Sequence, residues 1–175
     1  MTDQTEQAAP TEEPVVTALH RDPAFSEALH DLYEPLRRFA AVVASWETEP
    51  DDLVQEAYAR VLRTDTGSIR DLGPYLRRVI ANLAVDERRR ARRAEVARQR
   101  VAGDGQSSDS YPSELADLLR LEPQVRGLLY LVEVEGEPVR AAAAAVGMPA
   151  ASARMALTRA RRKMRASIEA ELDDE

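Results

Sequence analysis

Arginines at helical spacing carry the chemistry most easily read in this chain. Between Tyr75 and Arg93, the residues Arg78, Asn82, Asp86, Arg89 and Arg93 recur every three or four positions, one stripe along a helix. Between Ala150 and Arg165, a second run places Ser152, Arg154, Met155, Thr158, Arg159, Arg161, Arg162 and Arg165 opposite an apolar stripe. Guanidinium forks match phosphate oxygens and the guanine edge, and Asn matches adenine. The charge is concentrated: residues 74–101 hold nine Arg against three acids, and residues 138–168 hold seven basic residues and no acid. The whole chain nevertheless has a formal net charge of −7, so the flanking segments are acidic. Positive stripes in an acidic chain are the footprint expected for nucleic-acid backbones. The residues therefore point to DNA, met at two separate surfaces.

Other chemistries find little support. There is no Cys, which excludes disulfides and thiolate metal sites. The only two histidines, His20 and His30, are ten residues apart and off the spacing of a zinc pair. No nucleophile–base pair and no Gly-rich phosphate loop stands out, so an enzyme is not expected, nor any cofactor or metal. No apolar run approaches the roughly 18 residues that a membrane span requires. The opening Met-Thr-Asp-Gln-Thr-Glu has neither the basic nor the apolar part of a signal peptide. A soluble, cytoplasmic protein without membrane insertion is expected.

Positioning these residues requires helices, and the pattern supplies nothing else. The expected fold is all-α: two small helical domains joined by a flexible linker. Residues 1–22 are acidic and Pro-punctuated and read as a disordered tail. A helix begins near Pro23 and ends around Ser45-Trp46, with Phe25, Leu29, Leu32, Leu36, Ala40 and Val43 as its apolar stripe. Pro50-Asp51-Asp52 restarts a helix with acids in its first turn, and Leu53, Ala57 and Val61 face inward. Asp65 to Gly73 reads as a loop, and Pro74 suits the first position of the basic helix, whose apolar face is Leu76, Val79, Ile80 and Leu83. Residues 23–96 form the first domain. The linker, 97–113, contains the flexible run Gly103 to Ser110. Residues 114–168 form the second domain, with helices broken near Pro123 and a short Ala-rich helix from Arg140 to Val146. Residues 169–175 are an acidic tail.

In the second domain, a short helix, the turn Gly147-Met148-Pro149 and a longer basic helix make a helix-turn-helix pattern. Ala153, Leu157, Ala160, Met164 and Ile168 form the inner face of the longer helix, and Ala142 to Ala145 allow close approach. Residues near the start of a recognition helix reach base edges, which places Ser152, Arg154, Met155 and Thr158 for reading. Arg161, Arg162, Lys163 and Arg165 lie further along, where phosphates are met. A merely solvated helix mixes its charge signs, and residues 138–168 do not. For the stripe from Arg78 to Arg93, spacing alone fits base reading and simple solvation equally well.

Taken together, these motifs resemble the bacterial RNA polymerase sigma factors of the extracytoplasmic-function (ECF) family, over about residues 24–168. Phe25 to Val43 looks like region 2.1, and Pro50-Asp-Asp-Leu-Val-Gln-Glu-Ala-Tyr58 is similar to region 2.2. Pro74-Tyr-Leu-Arg-Arg-Val-Ile-Ala-Asn-Leu-Ala-Val-Asp86 resembles region 2.4. Leu121-Glu-Pro-Gln-Val-Arg-Gly-Leu-Leu129 opens region 4, which closes on Leu157-Thr-Arg-Ala-Arg-Arg-Lys-Met-Arg165. The chain departs from the family at Ala81, Ala141 to Ala143 and Ala156, which bears on promoter preference and on packing of the short helix rather than on the fold.

The resemblance implies a factor that directs core polymerase to promoters and helps open the −10 region, without catalysis of its own. Asp52, Gln55 and Glu56 would meet the β′ clamp. Arg78, Asn82, Asp86, Arg89 and Arg93, with the loop 64–73, would engage the −10 element. Ser152, Arg154, Met155, Thr158, Arg159, Arg162 and Arg165 would read or hold the −35 element, while the apolar side of region 4 grips the β flap. The acidic linker would thread toward the polymerase active centre. An anti-sigma protein is an expected further partner. The competing reading is a stand-alone helix-turn-helix regulator, which would bind its duplex without polymerase. Promoter sequence, regulon and inducing signal are not legible in the chain.

Overall fold

In the computed structural model, residues 23–64, 69–102 and 118–173 are described. The expected disordered tail 1–22, residues 65–68 of the loop, residues 103–113 of the expected linker, residues 114–117 of the expected second domain and residues 174–175 lie outside them, while residues 97–102, expected as linker, are helical. All regular structure among the described residues is helical. Helix α1 spans Pro23–Val43 and α2 spans Pro50–Leu62. Glu49 is the extended N-cap of α2, Pro50 sits in its first turn, and Asp51 and Asp52 place negative charge there. The stripe expected along α1 is real but graded. Leu36, Ala40 and Val43 are fully buried, whereas Phe25, Leu29 and Leu32 are half-buried.

Helix α3 spans Leu72–Ala102 and starts earlier than Pro74. Asp71 explains the difference, because its Oδ1 accepts the Gly73 amide at 3.2 Å and caps one orphan donor of the first turn. The helix also runs beyond Arg93, the last of its expected stripe. No Gly or Pro interrupts it before Gly103, and Glu95 pairs with Arg98 and accepts from Gln99 one turn on. Helices α1, α2 and α3 pack on one another around Leu36, Phe39, Leu53, Val61, Leu76 and Ile80. Burying each such side chain contributes about 1.5–3 kcal/mol. The turns are pinned at the rim. Thr48 Oγ1 donates to Glu87 at 2.8 Å, and the Tyr58 hydroxyl donates to the Leu29 carbonyl at 2.6 Å.

The C-terminal half begins with α4, Pro123–Leu129, which passes directly into a π-helical turn, Tyr130–Val134. Helix α5 spans Val139–Ala145 and α6 spans Ala150–Asp173. The turn between them closes with two bonds, Gly147 N–H to Ala144 O at 3.2 Å and Met148 N–H to Ala143 O at 2.8 Å. That pair is the Schellman arrangement, and it needs a left-handed residue at Gly147, whose φ is +74°. The Gln124 side chain donates to the Val146 carbonyl at 3.1 Å, tying the turn to α4. Ala142, Ala143 and Ala145 are buried in the core with Ala153 and Leu157, so of the alanines that depart from the family pattern in the short helix Ala142 and Ala143 are packed, while Ala141 is exposed.

The two halves touch. A single hydrophobic core runs from α1–α3 through Leu128, Leu129 and Leu131 into α5 and α6. Gly127 is part of this seam: a Cβ there would lie 2.9 Å from the Phe39 ring and 3.0 Å from Val43. Phe39 also meets Tyr130, with ring centroids 6.4 Å apart and tilted by 57°.

Candidate nucleic-acid and polymerase interfaces

The α3 stripe is assembled as its spacing requires. Arg78, Asn82, Arg89 and Arg93 are exposed and Asp86 is half-buried, all on the face away from the core residues Leu76, Ile80 and Leu83. Asp86 approaches Arg89 at 3.9 Å, a loose pair that water screens strongly. Because α3 continues to Ala102, the basic face is longer than the expected stripe. Arg92 and Arg100 join Asp86, Arg89, Arg93 and Val96 along one open furrow. The absence of a helix breaker before Gly103 was the sequence signal for this extension.

Not every arginine of α3 faces outward. Arg77 Nη1 donates to Glu137 at 2.6 Å and Nη2 to Glu135 at 2.7 Å, reaching the segment after the π-turn. Arg88 donates to the Leu121 and Arg120 carbonyls and approaches Glu122 at 3.8 Å. Neither role was legible in the sequence, since each partner lies more than 30 residues away.

On α6 the inner face is Ala153, Leu157 and Ala160, all buried, with Met164 half-buried; the Ile168 side chain lies outside the described residues. Ser152, Arg154, Met155, Thr158, Arg159, Arg162 and Arg165 are all exposed on the opposite side. Met155 shows 57% of its surface, which leaves a large apolar group beside Arg154 at the start of the helix. Such a group can pack on a thymine methyl. The Thr158 hydroxyl donates to its own helix at Arg154 O, 3.0 Å away, leaving its oxygen lone pairs outward. Arg161, expected among the phosphate-facing residues, is exposed and engages a carboxylate. It is paired with Glu133 of the π-turn, Nη2 to Oε1 at 2.6 Å and Nε to Oε1 at 2.8 Å.

On α2, Asp52, Gln55 and Glu56 share an exposed face. Glu56 already pairs with Arg60 at 3.0 Å and Arg63 at 3.7 Å. Asp51 is committed to structure, accepting from the Tyr33 hydroxyl at 2.7 Å and Arg37 Nε at 3.1 Å. The hydrogen bond to Asp51 holds the Tyr33 phenol above its ordinary pKa. Trp46 stands 64% exposed in the turn between α1 and α2.

One charged side chain is deep in the protein. Arg126 is 3% exposed. Its five N–H donors go to five backbone carbonyls: Nε to Val42 at 2.8 Å, Nη1 to Leu119 at 3.2 Å and Leu121 at 2.9 Å, and Nη2 to Val43 at 2.5 Å and Ala44 at 2.7 Å. Burial, reinforced by nearby Arg88, pulls its pKa down to about 10, which still leaves the guanidinium charged at neutral pH. Three of those carbonyls end α1, where the helix dipole is negative and lone pairs lack intrahelical partners.

Among the described residues no helix is long and apolar enough to cross a membrane, and no group of three or more His, Cys, Asp or Glu is placed to hold a metal ion.

The geometry agrees with three comparisons. Residues 27–94 match the family model for sigma-70 region 2. The chain is 32% identical over 133 residues to proteins named probable ECF RNA polymerase sigma factor SigI from two strains of Mycobacterium tuberculosis, CDC 1551 and H37Rv. That match covers 67% of this chain and 46% of the relative, so the chain spans about half the length of the curated relatives it matches. By fold it is similar to the sigma factor RpoE of Bartonella quintana, solved with the anti-sigma factor NepR, at a TM-score of 0.61 and 20% identity over 83% of this chain and 97% of that one. It is also similar to CnrH, solved with the cytosolic domain of CnrY, at a TM-score of 0.58 and 23% identity over 89% of this chain and 96% of that one. Residues 27–94 are a sigma-70 region 2 domain, and the chain is a homologue of ECF sigma factors.

Proposed function

We propose, on the premise that the chain is an ECF sigma-factor homologue, that it directs core RNA polymerase to promoters by engaging the −10 and −35 elements on its two basic helices. The observation that carries this reading is the exposed stripe of Arg78, Asn82, Arg89 and Arg93 inside the segment that matches region 2. Asn82 among arginines suits base edges flanked by phosphates. Arg92 and Arg100 extend the phosphate track along the same helix. The exposed face of α6 takes the −35 duplex, with Ser152, Arg154, Met155 and Thr158 toward bases and Arg159, Arg162 and Arg165 toward phosphates. In this reading, residues 23–96 and 114–168 act as separable domains around the linker 97–113. Opening of the −10 region extrudes a base at a cost of a few kcal/mol, offset by contacts near the loop 64–73.

Asp52, Gln55 and Glu56 are the polar face offered to the β′ clamp, and the apolar side of region 4 is offered to the β flap. The factor carries out no catalysis itself and acts in the cytoplasm, where its polymerase is. An anti-sigma protein is a further partner, in keeping with the complex formed by the RpoE relative.

Transcription in vitro with core polymerase and a genomic promoter library tests the assignment. The expected outcome is transcripts that require the chain and start downstream of a shared pair of elements. Binding to a duplex with equal affinity and specificity in the absence of polymerase would instead favour a stand-alone regulator. Charge reversal at Asp52 and Glu56 together should weaken polymerase association well beyond its small cost in thermal stability, a cost expected because Glu56 pairs with Arg60 and Arg63 and Asp52 lies in the first turn of α2.

A further inference from the structure

The outward face of α6 has an apolar centre. The buried stripe of Ala153, Leu157, Ala160 and Met164 fixes the inward direction of this helix. At about 100° per residue, Met155 lies within about 10° of the direction opposite to that stripe. Ala151, one turn earlier, and Thr158, one turn later, are exposed and lie within about 50° of the same line. Arg154 and Ser152 project toward opposite flanks. Arg162 shares the direction of Met155 but stands about 10 Å further along, beyond the first turns that reach base edges in a recognition helix. The side chain that points straightest into a major groove is therefore a thioether. It is 57% exposed and lines a shallow hollow with Arg154, Thr158 and Arg159.

This central strip has no hydrogen-bond donor to offer. The one proton of the Thr158 hydroxyl is committed to the Arg154 carbonyl at 3.0 Å, and Ala151 and Met155 carry none. A base edge directly beneath Met155 meets only an apolar surface. Covering the amino group of cytosine or adenine there strips it of water without return. Thymine alone presents an apolar group in the major groove, its 5-methyl. Methionine, unbranched and polarisable, adapts its shape to such a group. Arg154, Arg159 and Arg162 surround Met155, and residues 138–168 hold no acid, a setting that suits the phosphates on either side of a groove. We infer that Met155 reads the 5-methyl of a thymine in the −35 element and sets a preference for thymine over cytosine at that pair. The inference rests on the proposed function and deepens it, adding an apolar determinant to the guanine and phosphate contacts that arginines make.

The test uses the full chain in holoenzyme on a promoter recovered from the transcription library. Each thymine of the −35 element, on either strand, is replaced in turn by deoxyuridine, which keeps every hydrogen-bonding group and lacks only the methyl. At one position the wild-type holoenzyme should lose roughly fourfold in affinity, the worth of one buried methyl group. Met155→Ala holoenzyme should bind the thymine and deoxyuridine duplexes alike. Cytosine at that position should weaken wild-type binding further, and 5-methylcytosine should restore the part due to the methyl for the wild type only. The position is exposed and Ala is the strongest helix former, so the variant keeps its fold, which circular dichroism checks. The inference is overturned when no −35 thymine shows methyl dependence, or when that dependence persists undiminished in Met155→Ala. A variant that loses polymerase affinity while its methyl dependence stays intact also overturns it, and makes Met155 a protein contact. An absence of polymerase-dependent transcripts would instead sink the proposed function. The same substitutions are then made in the duplexes that the chain alone selects from random sequence, and methyl dependence there decides the inference. A chain that selects no duplex overturns both.

Discussion

The two basic helices look alike as sequence and differ as parts of a structure. Helix α6 turns Arg154, Arg159, Arg162 and Arg165 to solvent, and of its arginines only Arg161 has a carboxylate partner among the described residues, Glu133. Helix α3 divides its arginines, with Arg78, Arg89 and Arg93 outward and Arg77 and Arg88 turned into the seam with the other half. Arginine thus has two settings here, exposed on the faces proposed for phosphate and riveted between elements at the seam. Counting charge does not separate them. What separates them is whether a carboxylate or a free carbonyl lies within reach, and that depends on residues far away in the chain.

The sharpest way to break this contrast is at the seam itself. Phe39→Ala should cost about 3–5 kcal/mol in urea or thermal unfolding, because the ring is fully buried between the α1–α3 bundle and Tyr130. Arg78→Ala on the exposed face should stay within about 0.5 kcal/mol. Equal costs for the two would mean that the seam does not form in solution. Arg77→Gln comes next, with an expected loss of about 1.5–3 kcal/mol from two charge-assisted bonds, and no change in the salt dependence of DNA binding. A changed salt slope would move Arg77 to the DNA-facing class.

For the outward class, Arg154→Ala in the holoenzyme should change discrimination among −35 sequences by about 1–3 kcal/mol. Arg162→Ala and Arg165→Ala should weaken binding equally for all sequences, each lowering the log–log salt slope by roughly one unit. A uniform loss for Arg154→Ala, equal to that for Arg165→Ala, would remove base reading from Arg154. The smallest effect concerns Tyr58, whose burial pushes its phenol up to about 12 while it donates to Leu29. The folded form therefore holds this proton longer than the unfolded chain, whose tyrosines titrate near 10. That contribution to stability is complete below pH 10 and is lost as pH rises toward 12. Tyrosinate absorbance during alkaline titration should show one late phenol that Tyr58→Phe removes.

Much of this was legible in the sequence. The 3.6-residue periodicity located α1, α2 and the inner faces of α3 and α6, and Pro50 and Gly147 fixed ends where backbone chemistry leaves little choice. The exposed faces followed from the same periodicity, so Asn82 and Arg154 lie on the surfaces expected of them. Phe39 was absent from the expected stripe, which steps from Leu36 to Ala40; it lies at the edge of that stripe, where its ring also meets Gly127 of α4. The π-turn at Tyr130–Val134 has no local signature in Tyr-Leu-Val-Glu-Val, and the partners of Arg77, Arg88 and Arg126 are set by packing between segments that periodicity treats separately. Arg126 in particular reads as one more polar residue of an amphipathic helix. Only the crowding of unpartnered carbonyls at the end of α1 gives it its place.

That last bond pattern also has a consequence for the order in which the chain can be made. Helix α1 is finished by a residue 83 positions beyond Val43. On a ribosome adding 5–20 residues per second, the end of α1 waits on the order of ten seconds for its cap, longer than a bundle of this size needs to collapse. Over that interval α1, α2 and α3 are complete as segments, while the Val42, Val43 and Ala44 carbonyls at the end of α1 still lack Arg126. The nascent N-terminal half therefore emerges as an open-ended bundle with the α2 acids proposed for polymerase contact already displayed, and it closes only when Arg126 leaves the exit tunnel.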